Sequence, residues 1–147
     1  TSVKKLILLN STPAADSKER KINRTRALRL IDKNSVVFLS MAIQNLFSEN
    51  SQEKYAADIE KMKNDVLSLS IEGITAAVSG MKNRTDRVSV LKNFQGGKMM
   101  VSGYYDPVIP FAVSSKLAIE TLTPIIKLDG GHMGMIENFD EIVSVLT

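Results

Sequence analysis

Short runs of aliphatic residues near the two ends of the chain indicate β-strands. The first run, 3–10 (VKKLILLN), begins at Val3 and ends at Asn10, just before a Ser-Thr-Pro sequence. Two further runs, 98–102 and 125–128, lie in the last third of the chain. Apolar residues at successive positions of so short a run are typical of strands that are buried on both faces. The pattern therefore predicts three strands of a parallel sheet.

Between the first and second runs, apolar residues recur at intervals of three and four, which is the period of an amphipathic helix. Towards the C-terminus strands alternate with helical segments, an order that implies right-handed crossovers between parallel strands. We therefore expect an α/β fold with a partial parallel sheet of about three strands, formed by residues 1–13 and 95–147. Residues 14–94 would form a large helical insertion. The predicted helices cover residues 16–34, 36–47, 52–82, 85–94, 111–122 and 135–146.

Composition narrows the class of protein. Hydrophobic residues make up 44% of the chain and charged residues 24%, as in globular proteins. The 19 basic residues are mixed with 16 acidic ones, so we expect no nucleic-acid surface. The absence of cysteine excludes disulfides and thiolate ligands, and it favours the cytoplasm. No apolar run approaches the roughly 18 to 20 residues of a membrane-spanning helix, and no signal peptide is recognisable, so no membrane partner is expected.

Two polar residues follow the second and third predicted strands. Asp106 lies in the sequence GYYDPVIP, and His132, the one histidine of the chain, lies in DGGHMG. Loops at the carboxyl ends of parallel strands are where α/β proteins place their ligands. A carboxylate bonded to one imidazole nitrogen fixes the tautomer, while the other nitrogen takes up a proton. Taken singly, a lone histidine is more often a surface or core residue, and Asp-Pro is more often a turn.

The order of these segments resembles the last two triad segments of the α/β-hydrolases, in which the chain order is Ser, then Asp or Glu, then His. The segment 8–13 (LLNSTP) and the charged helix after it are similar to a late strand of that family running into its helical lid. The resemblance covers nearly the whole chain. It implies that Asp106 is the triad acid, that His132 is the base, and that residues 14–94 form a cap over the active site. It implies a small organic substrate and neither a metal nor an organic cofactor.

The nucleophile of that family is the feature that the chain lacks. It sits on a G-x-S-x-G elbow, which also supplies part of the oxyanion hole. The nearest matches here, around Ser79 and Ser102, lack the preceding glycine. We therefore expect the C-terminal fragment of an enzyme of the serine hydrolase or esterase type, inactive alone. There are two alternatives. The first is a full-length parent enzyme with an aspartate nucleophile, of the dehalogenase or epoxide hydrolase type, and the second is a non-catalytic interaction module.

Three further expectations concern the pocket around this pair, the edge of the sheet and the start of the chain. Met133, together with Phe38 and Met41 of the helical insertion, is expected to line the substrate pocket, because methionine adapts readily to varied ligands. The first strand is expected to pair with a second copy of the chain, because an uncovered strand edge is a template for association. The chain lacks an initial methionine and enters the first strand at once, so we expect Thr1 to be a cut within a longer protein.

Overall fold

The computed structural model describes residues 2–147 and contains three strands and seven α-helices within them. The strands are β1 (Lys5–Leu9), β2 (Gly97–Gly103) and β3 (Ile125–Leu128). The helices are α1 (Lys18–Gln44), α2 (Ala56–Leu67), α3 (Ile71–Asn83), α4 (Val88–Asn93), α5 (Phe111–Thr121), α6 (Gly134–Glu137) and α7 (Phe139–Leu146). A single 3₁₀ turn, Glu49–Ser51, lies between α1 and α2.

The three strands form one parallel sheet in the order β1-β2-β3. Lys5 is paired with Gly97 at one end of the β1–β2 ladder, and Gly103 is paired with Leu128 at the far end of the β2–β3 ladder. The central strand is the most deeply buried, since Val101 packs with buried residues of β3 and α7. The predicted fold class, a partial parallel sheet with a helical insertion between its first two strands, is confirmed.

The chain divides into two compact units. One contains the sheet and comprises residues 1–13, 45–55 and 87–147; the other is helical and comprises residues 14–44 and 56–86. Parts of the predicted insertion 14–94 thus lie in the sheet unit. Backbone hydrogen bonds explain this, because the Leu46 carbonyl accepts from the His132 N–H at 2.9 Å and the Arg87 N–H donates to the Pro13 carbonyl at 2.8 Å.

The helical unit is built on α1, which packs against α2 and α3. Asn34 interrupts α1 with φ −157° and ψ 80°, and its side-chain oxygen accepts a hydrogen bond from the Val37 N–H. The break between the predicted helices 16–34 and 36–47 is therefore present, and Asn34 caps the second part. The predicted segment 52–82 is two helices, and Ser70 caps the second by accepting from the Gly73 N–H at 3.0 Å.

The C-terminal helix is also divided. Asn138, with φ −135° and ψ 41°, separates α6 from α7, where the sequence predicted one helix over 135–146. Along residues 2–147 no helix combines the length and the apolar character that crossing a membrane requires.

Candidate active site

Asp106 is held in the loop that follows β2 by the backbone of its own turn. Its Oδ1 atom accepts hydrogen bonds from the N–H groups of Val108 and Ile109, both at 2.8 Å. An aspartate that bonds backbone N–H groups two and three residues ahead is a common local turn, which Pro107 reinforces by fixing its own backbone. The side chain is fully buried. The carboxylate therefore has a fixed orientation and one oxygen, Oδ2, that faces other elements.

His132 lies in the loop after β3 and contacts that second oxygen. Its Nδ1 atom is 2.8 Å from Asp106 Oδ2, and 23% of its side chain is exposed. Within residues 2–147, no hydrogen bond is made to the other ring nitrogen, Nε2. The loop is fixed by backbone contacts, since the Gly130 carbonyl accepts from the Tyr105 N–H at 3.0 Å. The two predicted residues are thus brought together, with one imidazole nitrogen bonded and the other available.

The pKa of Asp106 reflects two opposing effects. Burial acts to raise the pKa, but the hydrogen bonds from His132 and from the Ile109 and Val108 N–H groups outweigh burial. The pKa therefore lies below the ordinary value of 3.8. Asp106 is consequently ionised at neutral pH, as a carboxylate that stabilises a protonated imidazole must be.

Asn10 is a member of this site that sequence reasoning missed. It follows β1 directly and lies in the left-handed region, with φ 41°, which asparagine tolerates better than most residues. Its side-chain amide donates to Asp106 Oδ2 at 3.3 Å and to the Gly131 carbonyl at 2.9 Å. The available signal was a polar residue at the carboxyl end of the first strand, the edge at which Asp106 and His132 also lie.

Close packing of backbones accounts for two glycines of the site. A Cβ atom on Gly131 would lie 2.3 Å from the Ser48 nitrogen, and one on Gly103 would lie 2.2 Å from the Gly131 oxygen. Both contacts are with backbone atoms, which cannot move aside as a flexible side chain can. The glycine before His132 is therefore required so that the loops after β2 and β3 and the segment 45–55 can meet.

The predicted pocket residues lie in both units. Met133 is half-buried next to His132 in the sheet unit. Phe38, half-buried, and Met41, 60% exposed, lie on α1 in the helical unit. Within the sheet unit, a cavity of about 380 Å³ adjoins Asp106, and three aromatic rings are part of its lining. Those rings belong to Tyr104, Tyr105 and Phe111. Among the described residues, no cluster of three or more His, Cys, Asp or Glu side chains could hold a metal ion.

A parallel sheet that presents a bonded carboxylate and imidazole at its carboxyl edge defines an α/β protein with a candidate acid–base site. No model of a known protein family matches the sequence, and no curated protein matches it.

Solved structures match closely in three dimensions. An esterase from Thermogutta terrifontis superimposes with a TM-score of 0.84 at 25% identity, over 97% of this chain and 54% of that one. An esterase from Exiguobacterium antarcticum gives 0.82 at 15% identity, over 99% and 56%. An enol-lactonase from Burkholderia xenovorans gives 0.82 at 16% identity, over 98% and 55%. The chain has the α/β-hydrolase fold and spans about half the length of these structures.

Proposed function

We propose that Asp106 and His132 are the acid and the base of an α/β-hydrolase active site whose nucleophile is not among these 147 residues. The observation that carries the proposal is the 2.8 Å contact between Asp106 Oδ2 and His132 Nδ1 at the carboxyl ends of adjacent parallel strands. The fold of the chain and the hydrolase neighbours support it.

The roles of the two residues follow from which nitrogen each contact occupies. Asp106 Oδ2 accepts a hydrogen bond from the protonated Nδ1 atom, so Nε2 keeps its lone pair. Nε2 would take the proton from the attacking hydroxyl and would later return it to the leaving group. During the interval the imidazole is positively charged, and the ionised Asp106 stabilises that charge. Asn10 adds a second hydrogen bond to the same carboxylate oxygen.

The reaction of the parent is proposed to be acyl transfer to water from a small ester or related substrate. Two of the neighbours are esterases and a third is an enol-lactonase, so ester-bond cleavage is the chemistry that these relatives share. A serine nucleophile would serve it through a covalent acyl-enzyme. These neighbours favour that scheme over the aspartate nucleophile of dehalogenases and epoxide hydrolases.

Residues 1–147 alone are proposed to be inactive. They contain no G-x-S-x-G sequence, and in this fold the amide after the nucleophile forms part of the oxyanion hole. A base without a nucleophile or an oxyanion hole cannot stabilise a tetrahedral intermediate, and loss of one oxyanion donor alone typically costs about 10²- to 10³-fold in rate.

An ester assay tests this proposal. Hydrolysis of p-nitrophenyl acetate by the chain is compared with hydrolysis by N-acetylhistidine at equal concentration, and His132→Ala serves as the matched variant. We expect the chain to show no saturable turnover and no more activity than the free imidazole. Saturable turnover that is abolished in His132→Ala would contradict the proposal.

Several assignments stay predictions beside this one. They are the role of the helical segment as a lid, the part of Phe38, Met41 and Met133 in a substrate pocket, and a cytoplasmic location. Pairing of a second copy with β1 is a further prediction, and its test is described below.

A further inference from the structure

Glu137, at the end of α6, is a buried carboxylate that bonds two separate segments. Its Oε1 atom accepts hydrogen bonds from the Ser48 N–H at 3.0 Å and from the Ser48 hydroxyl at 2.9 Å. The Ser51 hydroxyl donates to the same oxygen. Its Oε2 atom accepts from the Gly131 N–H at 2.9 Å. One side chain thus links the 3₁₀ turn region of segment 45–55 to the histidine loop.

The link acts on the residue next to His132. The Gly131 N–H is bound by Glu137, and the Gly131 carbonyl is bound by the Asn10 amide. The following N–H, that of His132, donates to the Leu46 carbonyl at 2.9 Å. The peptide groups on both sides of the Gly131 Cα atom are therefore fixed, and the second of them is the peptide group that leads into His132.

The surrounding groups require a carboxylate rather than an amide. All four groups that approach the two oxygens are donors, and an ionised carboxylate is an acceptor at both of its oxygens. A glutamine would turn an NH₂ group towards either the Ser48 and Ser51 donors or the Gly131 N–H. In either orientation the NH₂ group would face a backbone N–H, that of Ser48 or that of Gly131, and the hydrogen bond of that N–H would be lost.

We propose that Glu137 is a positioning residue for the Asp106–His132 pair, acting through the Gly131 peptide; this role rests on the function proposed above. It does not touch the imidazole. Its contribution is to hold Nδ1 against Asp106 Oδ2, and so to keep the neutral ring in the tautomer that leaves Nε2 free. Loss of Glu137 should therefore alter the state of the ring in a protein that remains folded.

The test uses the fact that His132 is the one histidine of the chain, so every imidazole signal in a ¹H–¹⁵N NMR spectrum belongs to it. In Glu137→Gln we expect a mixture of the two neutral tautomers and about tenfold faster exchange of the Nδ1 proton with water, the size expected when a hydrogen bond to a charged group is weakened. Asp129→Asn and Glu120→Gln, which remove exposed carboxylates near to and far from His132 in sequence, should leave both readouts unchanged.

The outcomes separate this inference from the function on which it rests. If the unmodified chain does not hold its proton on Nδ1, the acid–base assignment itself fails. If the unmodified chain does and Glu137→Gln leaves tautomer and exchange rate unchanged, the positioning role is overturned alone. Should Glu137→Gln not fold, Ser51→Ala removes one donor from the same carboxylate and is expected to accelerate exchange to a smaller extent; no change in Ser51→Ala would then overturn it.

Discussion

Each unit of the molecule contains one fully buried aspartate side chain, and the two are held in opposite ways. Asp106, in the sheet unit, is bonded by backbone N–H groups, an amide and an imidazole. Asp16, in the helical unit, lies 2.5 Å from Arg24, with Arg20 and Arg84 at 3.4 and 3.5 Å. Burial acts to raise the pKa of both aspartates, and their hydrogen bonds and charged partners lower both below 3.8.

The difference lies in what the partners can do. A guanidinium stays protonated at every ordinary pH, so the cluster around Asp16 is a permanent ion network that joins the start of α1 to the residue after α3. An imidazole changes its charge near neutral pH and can pass a proton on. The two aspartates are thus similarly buried and have pKa values shifted in the same direction, but they differ in role. Asp16 anchors the helical unit, whereas Asp106 belongs to a candidate proton-transfer pair in the sheet unit.

The largest expected effect is on the anchor. Asp16→Ala leaves three guanidinium groups without their buried carboxylate and should lower the free energy of unfolding by about 3 kcal/mol, at the lower end for broken buried pairs because the arginines are partly exposed. Urea unfolding followed by circular dichroism measures this. Asp32→Ala, at an exposed position of α1, is the control and should change stability by less than about 0.5 kcal/mol. Equal effects of the two substitutions would show that the cluster is not an anchor.

A smaller effect is expected from crowding the candidate site. Gly131→Ala places a Cβ atom 2.3 Å from a backbone nitrogen and should cost about 1 to 3 kcal/mol. Gly80→Ala, in α3, is the matched substitution, because a Cβ there has no atom within 4 Å. Gly80→Ala should stabilise the chain by about 0.5 to 1 kcal/mol through higher helix propensity. Thermal unfolding of both variants checks the opposite signs, and destabilisation by Gly80→Ala would contradict this account of the helix.

The pH dependence should separate the two aspartates further. Because each has a folded-state pKa below 3.8, its stabilising effect is present above that pH and is lost as the pH falls through the folded value. Asp106→Asn should therefore flatten the loss of stability below about pH 4. Added salt should weaken the partly exposed Arg–Asp16 pairs more than the backbone-bonded Asp106. Acid titrations of unfolding free energy at low and high salt test this, and an unchanged acid limb in Asp106→Asn would be the contrary result.

The smallest expected effect concerns the outer edge of the sheet. The Lys4 carbonyl and the Asn10 N–H make hydrogen bonds to β2. Backbone groups of successive residues point to opposite sides of a strand, so those of Ile7 point away from β2. They face a sheet edge that no strand within residues 2–147 covers. We expect weak self-association through this edge. Ile7→Pro removes one outward N–H and should reduce the associated fraction measured by light scattering. Leu8→Pro is the control, because it removes an N–H that bonds β2 and leaves the outer edge unchanged. A chain that is monomeric at every concentration would disprove this pairing.

Elements that depend on local pattern could be predicted from the sequence, because buried strands and amphipathic helices differ in their hydrophobic period. The three strands and α5 lie close to their predicted positions. Residues that are brought together only by tertiary contacts could not be predicted from the sequence. Nothing in the local sequence of Asn10 or Glu137 indicates that each bonds Gly131, the residue before His132, which is more than a hundred residues from Asn10. The placement of segment 45–55 with the sheet likewise depends on tertiary contacts, those of Leu46 with His132 and of Ser48 with Glu137.

The state of the His132 ring in the folded chain tests the central claim most directly. A long-range ¹H–¹⁵N correlation spectrum at a pH where the ring is neutral is expected to show the proton on Nδ1 and a bare Nε2. In Asp106→Asn, with the fold intact, this preference should be lost. A proton on Nε2, or an Nδ1 preference that survives in Asp106→Asn, would contradict the acid–base pair and would favour a purely structural role for both residues.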